Sequence, residues 1–205
     1  MVAVVEGPGL DSDDADRVGL FGMLLGTILR DLPGVVRRFH AADHDVVGHG
    51  MLRVEQSNFK IGRLVARLMR MPRTVGDTPV VLTIRREAQR AHRPPCEEWR
   101  RSFQGEVMAS SQTTDSKYLL ERIGPLEFCF DLDVADQRLR FNHIRTRMQL
   151  GALRLGIPWP LSPTIQASVG ATASGDQLHV SVEISAPVLG TLLYYAGPLT
   201  PLGIT

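Results

Sequence analysis

The sequence predicts a mainly β protein of the α+β class: an antiparallel, closed or half-closed β-barrel of about eight strands with N-terminal helices packed against it. Segments rich in Val, Ile and Phe alternate apolar and polar residues over most of the chain beyond Pro72, which is typical of half-buried strands. Short turn signals such as Gln104-Gly105 and Gly175-Asp176 separate these segments. Strands joined by short turns are antiparallel, and closing the sheet removes its exposed edges.

Helical patterns precede the strands. Ser12, followed by aspartates, predicts a helix N-cap, and Leu20, Leu24 and Ile28 share one helix face. Pro33 ends this helix and can open a second, short helix over residues 34–42, because proline suits a first helical turn. We expect residues 1–16 to form a flexible N-terminus and residues 17–205 to form a single barrel-like domain.

A first strand is predicted over residues 48–56, and a third helix over residues 58–71, where Pro72 stops it. On that helix, apolar residues occupy one side (Ile61, Leu64, Val65, Leu68) and arginines the other (Arg63, Arg67, Arg70). The further strands are predicted over residues 79–87, 97–104, 106–113, 119–134, 138–150, 164–173, 177–185 and 189–195. The clearest alternation points Leu126, Phe128, Phe130, Leu132 and Val134 inward.

Composition excludes several classes of protein. The 23 Lys and Arg against 22 Asp and Glu give a net charge of +1, so no global field attracts nucleic acid or an anionic membrane. The two cysteines form neither a zinc motif nor a disulfide framework, which favours a reducing compartment. The apolar run over residues 18–29 is too short to cross a bilayer. We therefore predict a cytoplasmic protein without membrane insertion and without a nucleic-acid partner.

The most informative stretch is Glu98–Phe103. Read as a strand, it puts Trp99, Arg101 and Phe103 on one face and sets a guanidinium between two aromatic rings. If that face points inward, the charge needs a partner, because an unpaired buried charge is very costly. The partner would be a carboxylate such as Glu121, which orders the barrel, or a polar or anionic ligand held in a cavity.

An ordered series of landmarks resembles a bacterial domain-of-unknown-function family that occurs alone or fused behind saccharopine-dehydrogenase-like domains. The series is Leu32-Pro33, Arg38-Phe39-His40, Gly48, Gly50, Trp99-x-Arg101-x-Phe103, Glu121, Gly124-Pro125, Pro158, Pro163, Pro187-x-x-Gly190 and Tyr195-x-Gly197. The resemblance covers roughly residues 20 to 200. It implies a β-rich cytoplasmic domain and a dehydrogenase-like partner, although Gly48-His49-Gly50 lacks the third glycine of a phosphate-binding loop.

Histidines give two further candidates. His40 lies at a family landmark and titrates near neutrality, which suits a general acid or base; the alternative is a buried histidine bonded to backbone. His40, His44 and His49, with Asp43 and Asp45, form the densest potential ligand cluster, but no distant ligand set matches them. We predict no metal and no cofactor.

Two strands add candidates for the wall of a cavity. Leu139, Phe141, His143, Arg145 and Arg147 share one predicted strand face, with an apolar half suited to a cavity floor and a basic half suited to its rim. Tyr195, at a family landmark, could donate a phenolic proton or orient a carbonyl; a buried tyrosine bonded to backbone is the alternative.

These candidates predict a small-molecule-binding barrel that acts without a cofactor. An enzyme of this kind would cyclise or isomerise a mostly apolar, carbonyl-bearing metabolite, with His40, Arg101 and Tyr195 as catalytic residues. Substrate would contact Trp99, Phe103, Glu121, His143 and Arg145. The alternatives are a non-catalytic interaction module that works with a dehydrogenase-like partner, favoured by an exposed apolar patch, and a plain metabolite carrier.

Overall fold

The computed structural model describes residues 19–87, 94–151, 153–158, 160 and 162–203. The predicted Ser12 cap and the predicted flexible segment 1–16 lie outside these residues. Three α-helices and one 3₁₀-helix occur in the described part of the chain, at Leu20–Leu25 (α1), Gly26–Asp31 (3₁₀), Gly34–Ala41 (α2) and Lys60–Leu68 (α3).

Eleven strands occur in the described part of the chain. Their bounds are Val46–Gln56 (β1), Gly76–Glu87 (β2), Cys96–Phe103 (β3), Glu106–Thr114 (β4), Leu119–Ile123 (β5), Leu126–Ala135 (β6), Arg138–Leu150 (β7), Leu153–Gly156 (β8), Thr164–Ala171 (β9), Leu178–Ala186 (β10) and Gly190–Leu202 (β11). The region 119–134 is thus two strands rather than one, because Gly124 adopts a left-handed conformation and turns the chain back.

The strands form a closed antiparallel barrel. The order is β6-β5-β4-β3-β2-β1-β11-β10-β9-β7, and β6 pairs with β7 to close it, so ten strands form the wall. The short strand β8 pairs only with the end of β7 and stays outside the ring. The predicted antiparallel barrel with N-terminal helices is confirmed, with ten strands in place of about eight.

The barrel interior is the hydrophobic core. Leu126, Phe128 and Phe130 of β6 are buried and Leu132 and Val134 partly so, which confirms the predicted inward face. On β1 the inward positions include Gly50, where a Cβ atom would overlap the Pro198 carbonyl oxygen of β11. The missing side chain therefore allows β1 and β11, the first and last of the described strands, to approach closely at the seam where they pair.

The N-terminal helices close one end of the barrel. Phe21 of α1 lies 6.5 Å from Trp99 and 6.1 Å from Phe141, and Phe39 of α2 lies 6.1 Å from Trp99, measured between ring centroids. The helix predicted through Ile28 breaks at Gly26, which has a positive φ, and Ile28 is exposed as a result. Within the described residues, no helix is both long enough and apolar enough to cross a membrane.

Candidate functional site

Strand β3 carries two charged groups of the interior, Glu97 and Arg101. Glu97, Trp99, Arg101 and Phe103 alternate toward the core; the sequence predicts the shared face of the last three, and the structure shows that this face points inward. Arg101 forms an ion pair with Glu121 of β5, its Nη2 lying 3.3 Å from Glu121 Oε1, and both side chains are largely buried. The sequence left two partners open for Arg101, and the structure supplies the carboxylate.

Ser110 of β4 bridges this ion pair. Arg101 Nη1 donates to Ser110 Oγ at 3.0 Å, and Ser110 Oγ donates to Glu121 Oε1 at 2.6 Å. The guanidinium carbon also lies 5.1 Å from the centre of the Trp99 ring, within the range of a cation–π interaction. A guanidinium has five N–H donors, so these bonds leave donors of Arg101 that can serve a further acceptor.

The same residues line an internal cavity. It has a volume of about 70 Å³, and its lining is mainly aliphatic and aromatic. The members that bear on the chemistry are Trp99, Arg101, Phe103, Gln112, Glu121 and Tyr195. Arg101 therefore belongs to a structural ion pair and to a cavity wall at once.

Gln112 has the most unusual environment of these residues. It lies on β4 between Glu97 of β3 and Glu121 of β5 in the register of the sheet, so three polar side chains form an inward row across three strands. Both carboxylates of the row are hydrogen-bonded, but the buried Gln112 Oε1 has no partner among the described residues. An unpaired buried acceptor costs stability, and such groups call for an explanation.

Tyr195 adds a phenol to the cavity wall. It lies on β11, with its ring edge-on to Phe103 at a centroid distance of 5.3 Å. Burial raises the pKa of Tyr195, and the Arg101 charge opposes this rise. The hydroxyl therefore keeps its proton at neutral pH and can act as a hydrogen-bond donor.

A second buried ion pair ties the helices to the barrel. Arg86 Nε lies 3.0 Å from Glu97 Oε1, and Trp99 Nε1 donates to Glu97 Oε2 at 2.9 Å. Arg86 also donates to the backbone carbonyls of Phe39, in the last turn of α2, and of His44, which follows α2. Glu97 and Arg86 thus hold two parts of the structure in place. One is the Trp99 indole beside Arg101, and the other is the set of N-terminal helices that closes the barrel, which we call the helical plug.

His40 lies apart from the cavity lining. It is completely buried among Phe21, Phe39 and Trp99, and neither ring nitrogen has a hydrogen-bond partner among the described residues. Burial, with the Arg86 charge as a smaller cause, lowers the pKa of His40 to about 3. The imidazole is therefore neutral at physiological pH, and it is separated from the cavity by the aromatic rings around it.

A β-bulge divides the candidate residues of β7. Phe128 pairs with Thr146 and Phe130 pairs with His143, so β7 has one extra residue at this point. Phe141 and His143 consequently face inward, but the inward place beyond the bulge goes to Thr146, and Arg145 and Arg147 take the outer face. The prediction that all of them share a face is wrong at these two arginines.

His143 faces inward on β7 but does not line the cavity described above. Its Nε2 lies 2.8 Å from Thr146 Oγ1, and that hydroxyl donates to the Pro163 carbonyl at 2.6 Å. Because the hydroxyl proton is used in the second bond, His143 Nε2 is the donor in the first. Burial lowers the pKa of His143.

The histidine and aspartate cluster of residues 40–49 does not converge. His40 is in the core, whereas His44 is exposed and bonded to Asp43 and the Gly203 carbonyl, and His49 is exposed on β1. The described part of the chain contains no group of three or more His, Cys, Asp or Glu side chains placed to hold a metal ion.

Sequence reasoning missed Ser110 as a partner of Arg101, Gln112 as a residue of the cavity wall, and Arg86 as the partner of Glu97. A signal for the first two was present: the turn at Gln104-Gly105 fixes the β3–β4 register, which sets Ser110 opposite Trp99 and Gln112 opposite Glu97. Arg86 and Glu97 are a cross-strand pair of β2 and β3, but no tight turn fixes that register, and the Arg86 bonds to Phe39 and His44 depend on where α2 ends.

One family model matches most of the chain. The model of a domain of unknown function, DUF4166, matches residues 32–199. The chain belongs to the DUF4166 family. The matched range of this DUF4166 chain includes α2, the ion pairs of Arg86 and Arg101, and every cavity-lining residue named above. No curated protein and no solved structure matches the chain.

Proposed function

We propose that this barrel binds a small molecule with an apolar body and a compact polar head. Gln112 carries the proposal, because its buried Oε1 is an acceptor without a protein partner at the wall of the cavity. A donor on a ligand would recover the cost of burying this atom. Arg101 and Tyr195 offer donors at the same wall, so the head should combine an acceptor with a donor, as in a carbonyl with a neighbouring hydroxyl or N–H.

The size of the cavity restricts how the ligand is held. At about 70 Å³ it has roughly half the volume of the engineered cavity of about 150 Å³ that holds benzene. The present cavity therefore suits the polar head, and a larger apolar body requires movement at the helical end of the barrel. The aromatic contacts of α1 and α2 with Trp99 and Phe141 are the packing that such a ligand would displace.

The proposal extends from ligand binding to catalysis. A cofactor-free isomerisation or cyclisation needs donors aimed at an oxygen that becomes negative, and Arg101 with the protonated Tyr195 supplies them. Trp99 and Phe103 would pack against the substrate, and Glu121 would hold Arg101 in place. The sequence suggested His40 as a general acid or base. It is better assigned to the aromatic packing of the helical plug, because it does not line the cavity.

A thermal-shift screen with Gln112→Leu as the diagnostic variant tests the proposal. The screen uses small hydroxy ketones, hydroxy acids and amides with apolar tails, since ligands that bind only the folded state raise the melting temperature. Gln112→Leu removes an unpaired buried polar group, so it should fold with equal or higher stability and lose the ligand response. Val107→Thr, on the outer face of the same strand, is the matched control. Equal responses in all three proteins would place the ligand elsewhere and overturn the proposal.

An interaction module is the second candidate, supported by one observation. Large apolar side chains on and beside α3 are exposed rather than packed on the barrel, namely Phe59, Ile61 and Leu64. This is the kind of patch that marks a docking surface. A dehydrogenase-like partner, as the family resemblance implies, would bind the purified chain in a manner that depends on these residues and not on Gln112.

A further inference from the structure

Helix α3 packs on the barrel through its small residues and turns its large apolar residues to solvent. Gly62 and Ala66 are buried, and a Cβ atom at Gly62 would overlap the Ser57 side chain, next to Leu192 of β11. By contrast, Phe59, Ile61 and Leu64 are 70%, 64% and 56% exposed. Of the apolar side predicted from the sequence, Ile61 and Leu64 are therefore unpartnered and Val65 packs half-buried against the core, while the side chain of Leu68 lies outside the described residues.

The charge of this region differs sharply from that of the whole chain. Residues 57–76 contain five cations and no acid, whereas the complete sequence has a net charge of only +1. The cations are Lys60, Arg63, Arg67, Arg70 and Arg73. At 100° per residue, Lys60, Arg63 and Arg67 occupy one side of α3, adjacent to the exposed apolar stripe of Ile61 and Leu64.

Four of the five cations remain uncompensated. Arg73 pairs with Glu106, but Lys60, Arg63, Arg67 and Arg70 form no ion pair with any described residue. Two acids lie beside Phe59 in one depression: Glu55 pairs with Arg53, whereas Glu183 accepts a bond from the neutral Thr191 hydroxyl and keeps its charge. Along α3 itself the described residues are thus apolar and cationic, and Glu183 is an acid at the edge of this region.

A second exposed element continues the apolar surface. Phe59 and Leu189 line one shallow depression, and Leu189 belongs to the β10–β11 turn, in which Val188 is 67% exposed. We call Phe59, Ile61, Leu64 and Val188, together with the four unpaired cations, the α3 face. Apolar side chains on two adjoining elements, bordered by cations, form a broad surface rather than a single protruding residue.

We propose that the α3 face docks on an anionic lipid surface. A helix with exposed aromatic and aliphatic residues on one side and Lys and Arg beside them is the arrangement that lies in the plane of a membrane interface. Anionic headgroups would supply the missing counter-charge, and the acyl boundary would take up the apolar side chains. This inference is independent of the proposed ligand site, because none of its residues lines the barrel cavity, and it is the alternative to the interaction module for the same residues.

Two other occupants fit the α3 face less well. A second copy of the chain would bring its own four unpaired cations against these four, and like charges at close range oppose association. An acidic protein would also satisfy the charges, but Phe59, Ile61 and Leu64 lie beside the cations with more than half of each residue exposed, which suits insertion at a lipid interface. Each of these occupants gives a distinct result in the test below.

The test measures binding of the full chain to vesicles by flotation. We expect binding to vesicles of phosphatidylcholine mixed with phosphatidylglycerol, weak binding to phosphatidylcholine alone, and a loss of binding as salt is added. Replacing two of the cations, in Arg63→Gln/Arg67→Gln, should lower the partition coefficient about 25-fold, at about 1 kcal/mol per cation. Phe59→Ser should lower it about tenfold or more.

Matched controls are available on other exposed surfaces. Arg37→Gln removes an exposed cation from α2, and Val81→Ser removes an exposed apolar residue from β2. Both should bind vesicles like the parent, and circular dichroism should show that every variant is folded. The two α3 variants alter exposed side chains, so their folding should be unaffected.

Three results would overturn the proposal. One is an absence of binding to the mixed vesicles, and another is undiminished binding of the α3 variants. The third is binding of an acidic protein, or self-association in analytical ultracentrifugation, that Phe59→Ser abolishes while vesicle binding is absent. This last result would assign the α3 face to a protein partner or to a second copy.

Discussion

Arg101 and Glu121 meet across an intervening strand. Arg101 lies on β3 and Glu121 on β5, and Ser110 of β4 bonds both side chains, so one polar bridge links three successive strands inside the barrel. Trp99, which supports the guanidinium, is itself held by Glu97, whose other carboxylate oxygen binds Arg86. The two buried ion pairs therefore form a continuous support from the helical plug to the cavity wall.

Breaking the inner ion pair should destabilise the protein strongly. Arg101→Met leaves the Glu121 carboxylate buried without its cation, and we expect the free energy of unfolding to fall by about 3–5 kcal/mol. Arg101→Met/Glu121→Leu removes both charges and should recover most of that loss. Urea unfolding of the parent and both variants measures it, and a double variant no more stable than the single one would contradict this account of the pair.

His40 should make the protein sensitive to acid. Its pKa is about 3 in the folded protein and 6.5 in the unfolded chain, so between these values the unfolded chain binds more protons. The contribution of His40 to stability is therefore fully present above pH 6.5 and is lost as the pH falls toward 3, with a slope approaching about 1.4 kcal/mol per pH unit.

The variant His40→Leu isolates this contribution. It fills a similar volume without a titrating group, and the imidazole it replaces has no hydrogen-bond partner among the described residues. Urea unfolding at about pH 7 and about pH 5 should show a clearly smaller acid loss in His40→Leu than in the parent. An unchanged pH dependence would mean that the imidazole is protonated in the folded state.

Gly50 should tolerate no side chain. A Cβ atom there would overlap the Pro198 carbonyl oxygen and lie 3.1 Å from Leu199 Cα, and both are backbone atoms that cannot rotate away. We expect Gly50→Ala to lower the free energy of unfolding by about 1–3 kcal/mol or more, as overpacking does. The control is Gly156→Ala on β8, where a Cβ atom meets nothing within 4 Å. Equal stability of the two variants would show that β1 and β11 can move apart at Gly50 without a cost in free energy.

Local pattern predicted the barrel and much of its inner face. The alternation of β6 and of β3 is a period-two signal, so Phe128 was placed inward from the sequence, and Trp99 and Arg101 were placed on one shared face whose direction only the structure shows. The bulge in β7 could not be read in this way, because one extra residue leaves the local alternation intact while moving Arg145 to the outer face.

Contacts that depend on tertiary placement were the ones the sequence did not predict. The α3 pattern predicted a helix with an apolar side, but which side meets the barrel depends on the close approach that Gly62 permits at Ser57. Gln112 drew no attention because a lone glutamine has no motif, and it became informative only when its oxygen proved buried without a partner.

Native mass spectrometry of the gently purified chain, with Gln112→Leu beside it, tests the central claim most directly. We predict that the parent retains a bound small molecule, seen as a discrete added mass that disappears on unfolding, and that folded Gln112→Leu carries none. A parent that binds nothing, both as purified and after incubation with apolar carbonyl compounds, would contradict the claim that the barrel interior is a ligand site.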